Sequence, residues 1–302
     1  MTGRAALAAL ALSAPAAADV PGRLSASVSA GGGWASDVFV GAGAGDNGFA
    51  QVVPAARLDL ALAPAWKLAA LGEVFYGTYQ PSGFTRLSES GTLEARWLPG
   101  EPWEVSLSGS LEHDGFGRGA PLDPGLVASP TVGASDGWRV APAARLSAGG
   151  WEWRASALAA GRRSSAEGVP VRERIAAVLA SASRPLGRRF DLSIAGKLTR
   201  SDSDRKDFAF DAAALLVGAG ARVLERTRIE GLLLVQGAEF DTAARETLVR
   251  LTLSAAHPLW ERVDLEVAWS FAGNLSSDPA RAAASRQVVF VGLRGRSGSL
   301  EW

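Results

Sequence analysis

The sequence predicts an all-β protein: a transmembrane, antiparallel, up-and-down β-barrel of about fourteen strands, within about two either way. Three observations carry this expectation. Runs of about 10 to 14 residues alternate apolar and polar side chains, the period of a strand with two unlike faces. Short and longer connections alternate along the chain. Tryptophan collects at the ends of the runs, next to the short connections.

The first run, Arg23–Ser36, sets Leu24, Ala26, Val28 and Ala30 against Arg23, Ser25, Ser27 and Ser29. After a Gly-rich stretch, Ala50–Ala63 sets Leu58, Leu60 and Leu62 against Arg57, Asp59 and Ala61. A short turn at Pro64 leads to Trp66–Tyr79, where Lys67 and Glu73 oppose Leu68, Val74 and Tyr76. Thr85–Leu98 carries Ser88, Ser90, Thr92, Glu94 and Arg96 on its polar side. Pro99-Gly100-Glu101-Pro102 then turns the chain into Trp103–Gly115, where Trp103, Val105, Leu107 and Leu111 oppose Glu104, Ser106, Ser108, Ser110 and Glu112. The longest expected loop, 116–137, follows.

Arg139–Ala148 and Trp151–Arg162 form a tight hairpin about Gly149-Gly150. Arg172–Ser183 and Phe190–Thr199 meet near Gly187, and Phe208–Ala219 and Arg226–Ala238 meet near Arg222. The Ala-rich runs at 172–183 and 208–219 are also compatible with helix. The clearest hairpin runs from Arg245 to Phe271. Val249, Leu251 and Leu253 alternate with Arg250, Thr252 and Ser254, and beyond His257-Pro258 the residues Val263, Leu265, Val267, Trp269 and Phe271 share one parity. Ser285–Arg296 is the last long run.

Charges occupy the middle of the polar faces, including Arg57, Glu73, Glu94, Arg145, Arg154, Lys197, Arg228, Glu230, Arg250 and Glu266. A dry sandwich core would penalise them heavily, whereas a wet lumen accepts them. A closed sheet is the β solution that leaves no unpaired backbone edge in lipid. Trp66, Trp97, Trp103, Trp151, Trp153, Trp260 and Trp302 fall toward the short-turn rim, as expected of an aromatic girdle at a lipid–water boundary. Phe49, Tyr76, Tyr79, Phe84, Phe116, Trp138, Phe208, Phe240 and Phe271 are expected to form the girdle at the opposite rim.

Residues 1–18, MTGRAALAALALSAPAAA, have a basic start, a short apolar segment and a small-residue cleavage pattern. They are expected to be a secretory signal peptide, leaving 19–302 as one barrel domain. The chain lacks cysteine, so disulfides, thiolate metal sites and lipidation of an N-terminal cysteine are excluded. Zero formal net charge gives no reason to expect a nucleic-acid partner. No cofactor or metal site is expected. Asp46-Asn47, Asp202 and Asp204 lack the spacing of a calcium loop, and the Gly-rich 41–45 lacks the Lys-Ser/Thr of a phosphate loop.

The leader, the alternating strands, the aromatic rims and the aromatic terminal residue Trp302 together resemble a Gram-negative outer-membrane β-barrel protein of the porin-like superfamily. Gly31–Phe39, GGGWASDVF, is similar to the first strand of exopolysaccharide and surface-protein export barrels. The resemblance implies a location in the bacterial outer membrane, contact with its lipid, delivery by the barrel-assembly machinery and a monomeric state. It carries no catalytic motif.

The leading functional expectation is a passive channel for ions or small polar solutes, with Arg57, Glu73, Glu94, Arg145, Arg154, Arg228, Glu230 and Arg250 lining the lumen. Balanced charge there predicts weak ion selectivity. An alternative is a non-conducting barrel that anchors, or exports with, a larger envelope complex. An outer-membrane hydrolase is a third class, and the chain is expected not to be an enzyme. Its two histidines are His257 in a turn and His113 at a strand end, with Ser88 as a conceivable partner of His113.

Overall fold

Alternating side chains and antiparallel pairing of neighbouring strands make a single sheet that closes on itself. In the computed structural model the described residues are 20–36, 47–80, 84–117, 134–166, 169–224, 226–277 and 284–301. The strands are β1 (Gly22–Ala35), β2 (Asn47–Ala63), β3 (Trp66–Gln80), β4 (Phe84–Gly100), β5 (Trp103–Gly117), β6 (Ser135–Ala148) and β7 (Trp151–Ala166). They continue as β8 (Val169–Leu186), β9 (Phe190–Ser203), β10 (Phe210–Val223), β11 (Thr227–Phe240), β12 (Arg245–Trp260), β13 (Val263–Ser276) and β14 (Ala284–Arg296). Residues 1–18, expected to be a signal peptide, the Gly-rich 41–45 and Trp302 lie outside the described part.

Every strand pairs antiparallel with its sequence neighbour, and β14 pairs with β1 from Ser27↔Arg296 to Ala35↔Val288. This last ladder closes the barrel. A short β15 (Leu300–Glu301) pairs with Arg23 and Leu24 and extends the same seam. The two Ala-rich segments compatible with helix are strands β8 and β10. In a closed ladder each backbone N–H and C=O finds a partner on a neighbouring strand, and this overrides the helix propensity of alanine.

The β6–β7 turn places Gly149 and Gly150 at φ of 60° and 75°, the positive values that a two-residue hairpin loop requires. Closure also depends on glycine. A Cβ on Gly33 would lie 1.8 Å from the Val289 carbonyl oxygen, and one on Gly31 would lie 2.4 Å from that of Val291.

The two faces separate cleanly. On β8, Arg172, Arg174, Ala176, Val178 and Ala180 are exposed, while Val171, Glu173 and Ala177 between them are buried. Pairing carries this parity around the sheet, so Leu93, Leu107, Leu111, Ile194, Leu198, Leu215, Val267 and Val291 point outward. The charged parity points into the lumen.

Two expectations need correction. The connections on the far rim are not uniformly long: β7 and β8 are separated by residues 167–168 alone. The strands run past the apolar band, so the outward parity there carries Arg163, Arg172, Arg174 and Arg200. Outside the hydrocarbon nothing stops the ladder from continuing. The second aromatic girdle is also only partial. Tyr76, Trp138 and Phe271 point outward, but Phe49, Tyr79 and Phe240 have the lumen parity and Phe208 is buried against Val171. The Phe49 and Phe290 rings stack at 6.4 Å, in register with Gly33 between them, and Phe210 meets Phe240 at 5.4 Å. Parity decides the face of an aromatic, and closeness to a rim does not. The side chains of Phe84 and Phe116 lie outside the described part.

At the short-turn rim the girdle residues Trp66, Trp97, Trp103, Trp153 and Trp260 are exposed on the outward parity. Trp66 stacks on Trp97 at 6.1 Å, and Trp151 lies 5.9 Å from Trp153 under the Arg184 guanidinium.

Candidate transport lumen

The lumen face is built by parity. Once Arg57 is inward on β2, its partner Ser25 and the alternate residues Asp59 and Ala55 are inward too. The same rule carries round to Glu73 on β3, Glu94 and Arg96 on β4, Glu104 on β5, Arg145 on β6, and Glu152 and Arg154 on β7. Farther round lie Arg228 and Glu230 on β11 and Arg250 on β12. All eight residues expected to line the lumen therefore share one face.

Their interactions differ. Arg57 forks onto Asp59 of its own strand, with Nη2 donating at 2.7 Å. Glu94 accepts from Arg96 Nη2 at 2.5 Å, and Arg96 also lies 4.0 Å from Glu104. Glu104 then meets Arg145 at 3.4 Å, and Arg145 donates to Glu152 at 2.5 Å. This makes one chain of alternating charge, Glu94–Arg96–Glu104–Arg145–Glu152, over four adjacent strands. Arg228 pairs with Glu230 beside it and reaches Asp191 at 3.4 Å across Gly220 of β10. Arg294 meets Glu266 at 3.0 Å, and Arg296 meets Asp264 at 2.5 Å.

Two of the expected residues join no such pair. Glu73 sits between Ala55 and Ser90, and Arg154 between Arg145 and Ser181, without an ion-pair partner among the described residues. Arg250 lines a concavity with Arg286.

The geometry of the pairs bears on what the lumen can do. Each lumen ion pair given above joins residues of one strand or of neighbouring strands, except Arg228–Asp191, which skips one strand. None of them spans the barrel. A charge satisfied along the wall is held back from the axis. Serine, alanine and glycine fill much of the rest of this face, as at Ser88, Ser90, Ser106, Ser108 and Ser110.

The alternation names Glu94 and Arg145 but not that Arg96 and Glu104 link them, nor that Glu152 ends the chain beyond Arg145. Parity alone puts these residues on one face; the cross-strand register that joins them emerges only when the strands are aligned. The alternation also misses a buried pair nearer the far rim. There Arg162 Nη2 lies 2.6 Å from Glu173 Oε2, with the Glu173 side chain only 4% exposed.

The two histidines stand apart from the lumen wall. His113 Nδ1 meets Asp136 Oδ1 at 2.7 Å on the outward parity, whereas Ser88 is in register with Asp114 on the lumen parity. His113 and Ser88 lie on opposite sides of the sheet and cannot act together. His257 Nδ1 meets Thr227 Oγ1 at 2.9 Å beside the β12–β13 turn. Asp202 is held by Arg200, and Asp204 accepts from the Arg172 backbone N–H. Asp46 lies outside the described residues. Among the described residues no three His, Cys, Asp or Glu side chains gather in a way that could hold a metal ion.

Comparison with known proteins agrees with this architecture. No protein-family model matches the chain, and no curated protein matches it either. Solved structures do. One is a mutant of the monoaromatic hydrocarbon channel TodX, at TM-score 0.54 and 8% identity over 92% of this chain and 91% of that one. An anion-selective porin from Comamonas acidovorans matches at TM-score 0.52 and 12% identity, over 92% of this chain and all of that one. A loop-deletion form of OmpT, an outer membrane protein of Vibrio cholerae, gives TM-score 0.57 and 8% identity over 91% of this chain and 99% of that one. At such identities the likeness is one of fold. The chain has the closed-barrel architecture of outer-membrane β-barrel proteins.

Proposed function

We propose that the protein is a porin-like passive channel of the bacterial outer membrane, admitting ions or small polar solutes through its own lumen. The observation that carries this reading is the way the lumen charges pair. They neutralise one another along the wall, from Glu94 to Glu152 and at Arg57–Asp59, Arg228–Glu230 and Arg294–Glu266, and none of these pairs ties one side of the barrel to the other. A polar wall with its own charges satisfied replaces part of a solute's hydration without binding it tightly, as passive conduction requires. Residues 1–18 would direct the chain across the inner membrane, and the assembly machinery would insert the remaining barrel as a monomer. The outward apolar face and the tryptophan rim would meet the lipid. No reaction is assigned: the histidines face away from the lumen wall, and the porin and channel neighbours agree with a role in passage.

The test is single-channel recording of the refolded barrel, residues 19–302, in a planar bilayer. Stable steps that scale with salt are expected, and charge reversal at Glu94, Arg145 and Arg154 together should shift ion preference. A folded, heat-modifiable barrel that stays silent would refute the channel and leave the non-conducting anchor or export partner.

A further inference from the structure

On β12, β13 and β14 the lumen face carries a trough whose floor and sides differ in chemistry. Thr252 and Ser270 stand in register on β12 and β13, and Val288 of β14 continues their row. Ala268, one row nearer the short-turn rim, is in register with Phe290, and Ala272 lies one row toward the far rim. These residues line one concavity of about 180 Å³, which the small side chains of Ala268 and Ala272 leave open. The Phe290 ring is laid against the backbone of the adjoining wall. A Cβ on Gly31 would meet it at 2.7 Å, and one on Gly292 would meet it closer still. Its plane lies 11° from that of the Phe49 ring. On the other side Leu232 of β11 is in register with Thr252 and, at 40% exposure, presents bare apolar surface to the lumen.

The trough is therefore apolar at its sides and hydroxylated on its floor. A hydroxyl both donates and accepts, and those of Thr252 and Ser270 have no hydrogen-bond partner among the described residues. Arg250 and Arg286 also border the concavity, but each has interactions of its own and neither is needed to hold a solute here. A hydrocarbon would cover the two hydroxyls without pairing them, which desolvation penalises. An open-chain polyol would pair them but has no flat apolar face to set against Phe290. A saccharide ring supplies both: C–H faces that pack on aromatic and aliphatic side chains, and hydroxyls at its edge that exchange hydrogen bonds with serine and threonine. The concavity is smaller than the roughly 300–1,000 Å³ of pockets for drug-sized ligands, so it suits a single ring. From this arrangement we infer that Phe290, Leu232, Thr252 and Ser270 form a sugar-binding station in the lumen wall, where one ring packs against Phe290 and bonds to the two hydroxyls. The inference deepens the channel reading and rests on it for its role in passage. It names neutral cyclic polyols as a class of solute that the lumen holds on the way through.

The test compares the wild type with F290L and T252V/S270A, each shown to be folded by heat-modifiable migration. Glucose and sorbitol, a ring and an open chain of nearly equal size, are added in turn to a planar bilayer conducting potassium chloride. Glucose should reduce the wild-type current in a saturable manner, and sorbitol should give no saturable block. The half-blocking glucose concentration should rise about tenfold in T252V/S270A, which loses two hydrogen bonds between neutral groups. It should rise about threefold in F290L, which keeps the apolar volume and removes the flat face. T247V, on the outward face of β12, should behave as wild type. Equal block by glucose and sorbitol, equal block in all variants, or a conducting wild type that glucose leaves untouched would refute the station. Benzyl alcohol replaces the sugar in a further arm, and block by it alone would make the trough a site for aromatics and overturn the inference. Should T252V/S270A fail to fold, the single variants T252V and S270A should each shift glucose block about threefold, and no shift in either refutes it. Calorimetric titration of the detergent-folded barrel with glucose separates the station from the channel. Binding that T252V/S270A abolishes, in a silent barrel, keeps the station and removes the channel. Conductance without glucose binding does the reverse.

Discussion

Ile194 and Ala195 are chain neighbours on β9 with opposite surroundings, and lysine at each measures that difference. Ile194 is outward, in register with Ala182 and Val217, while Ala195 is in register with Ser181 and Leu216 on the lumen face. On the outward parity of β9, Phe190, Leu192, Ile194, Gly196 and Leu198 precede Arg200. From Phe190 to Arg200 the strand covers about 33 Å at about 3.3 Å per residue. A tilt of about 40° reduces this to about 25 Å, the height of an outer-membrane apolar band. Ile194 lies near the middle of that band. Ile194→Lys should therefore cost about 2–4 kcal/mol, the penalty for a cation at the bilayer midplane, or about 30- to 700-fold in the folding equilibrium. Ala195→Lys should cost less than about 1 kcal/mol, because a lumen lysine stays hydrated. Urea unfolding in lipid vesicles, followed by tryptophan fluorescence, reads both values. Equal penalties at 194 and 195, or a larger one at 195, would refute the assignment of faces and with it the reading of the outer surface as lipid-exposed.

Two further perturbations follow from the same structure. Arg162→Met strands the Glu173 carboxylate, 4% exposed, and should destabilise the barrel by about 3–5 kcal/mol in urea. R162M/E173L, which removes both charges, should recover most of that loss, and no recovery would mean that the pair itself is not the source. Gly33→Val would push a side chain into the Val289 carbonyl at the β1–β14 seam. It should cost at least about 1–3 kcal/mol and reduce the heat-modifiable fraction. Gly91→Ala, whose Cβ meets nothing within 4 Å, should not, and similar behaviour of the two would contradict a glycine-dependent closure.

Much of the barrel was legible in the chain because its cause is local. A strand sends neighbouring side chains to opposite faces, so the alternation at Trp103–Glu112 or Val263–Phe271 announces both a strand and its two environments without reference to any other segment. The tryptophans beside the short turns were readable for the same reason. Strand ends were less so: β8 runs from Val169 to Leu186, beyond the 172–183 read from pattern, because pairing with β7 and β9 continues where alternation no longer matters. The aromatics at the far rim misled because closeness to a rim was taken for orientation. Phe49 and Phe290 lie inward, against a glycine contributed by a strand distant in sequence.

Sequence alone thus determined the fold class and the outward and inward parity of most strands. Tertiary structure decided which of the lumen charges meet. The order of alternation places Arg96, Glu104 and Arg145 on one face, but only the stagger between β4, β5 and β6 makes them a chain. Likewise Arg250 and Arg286, 36 positions apart, share a row because β13 sets Ala272 between them. Face follows from the geometry of a single strand, whereas register depends on the hydrogen bonds of two.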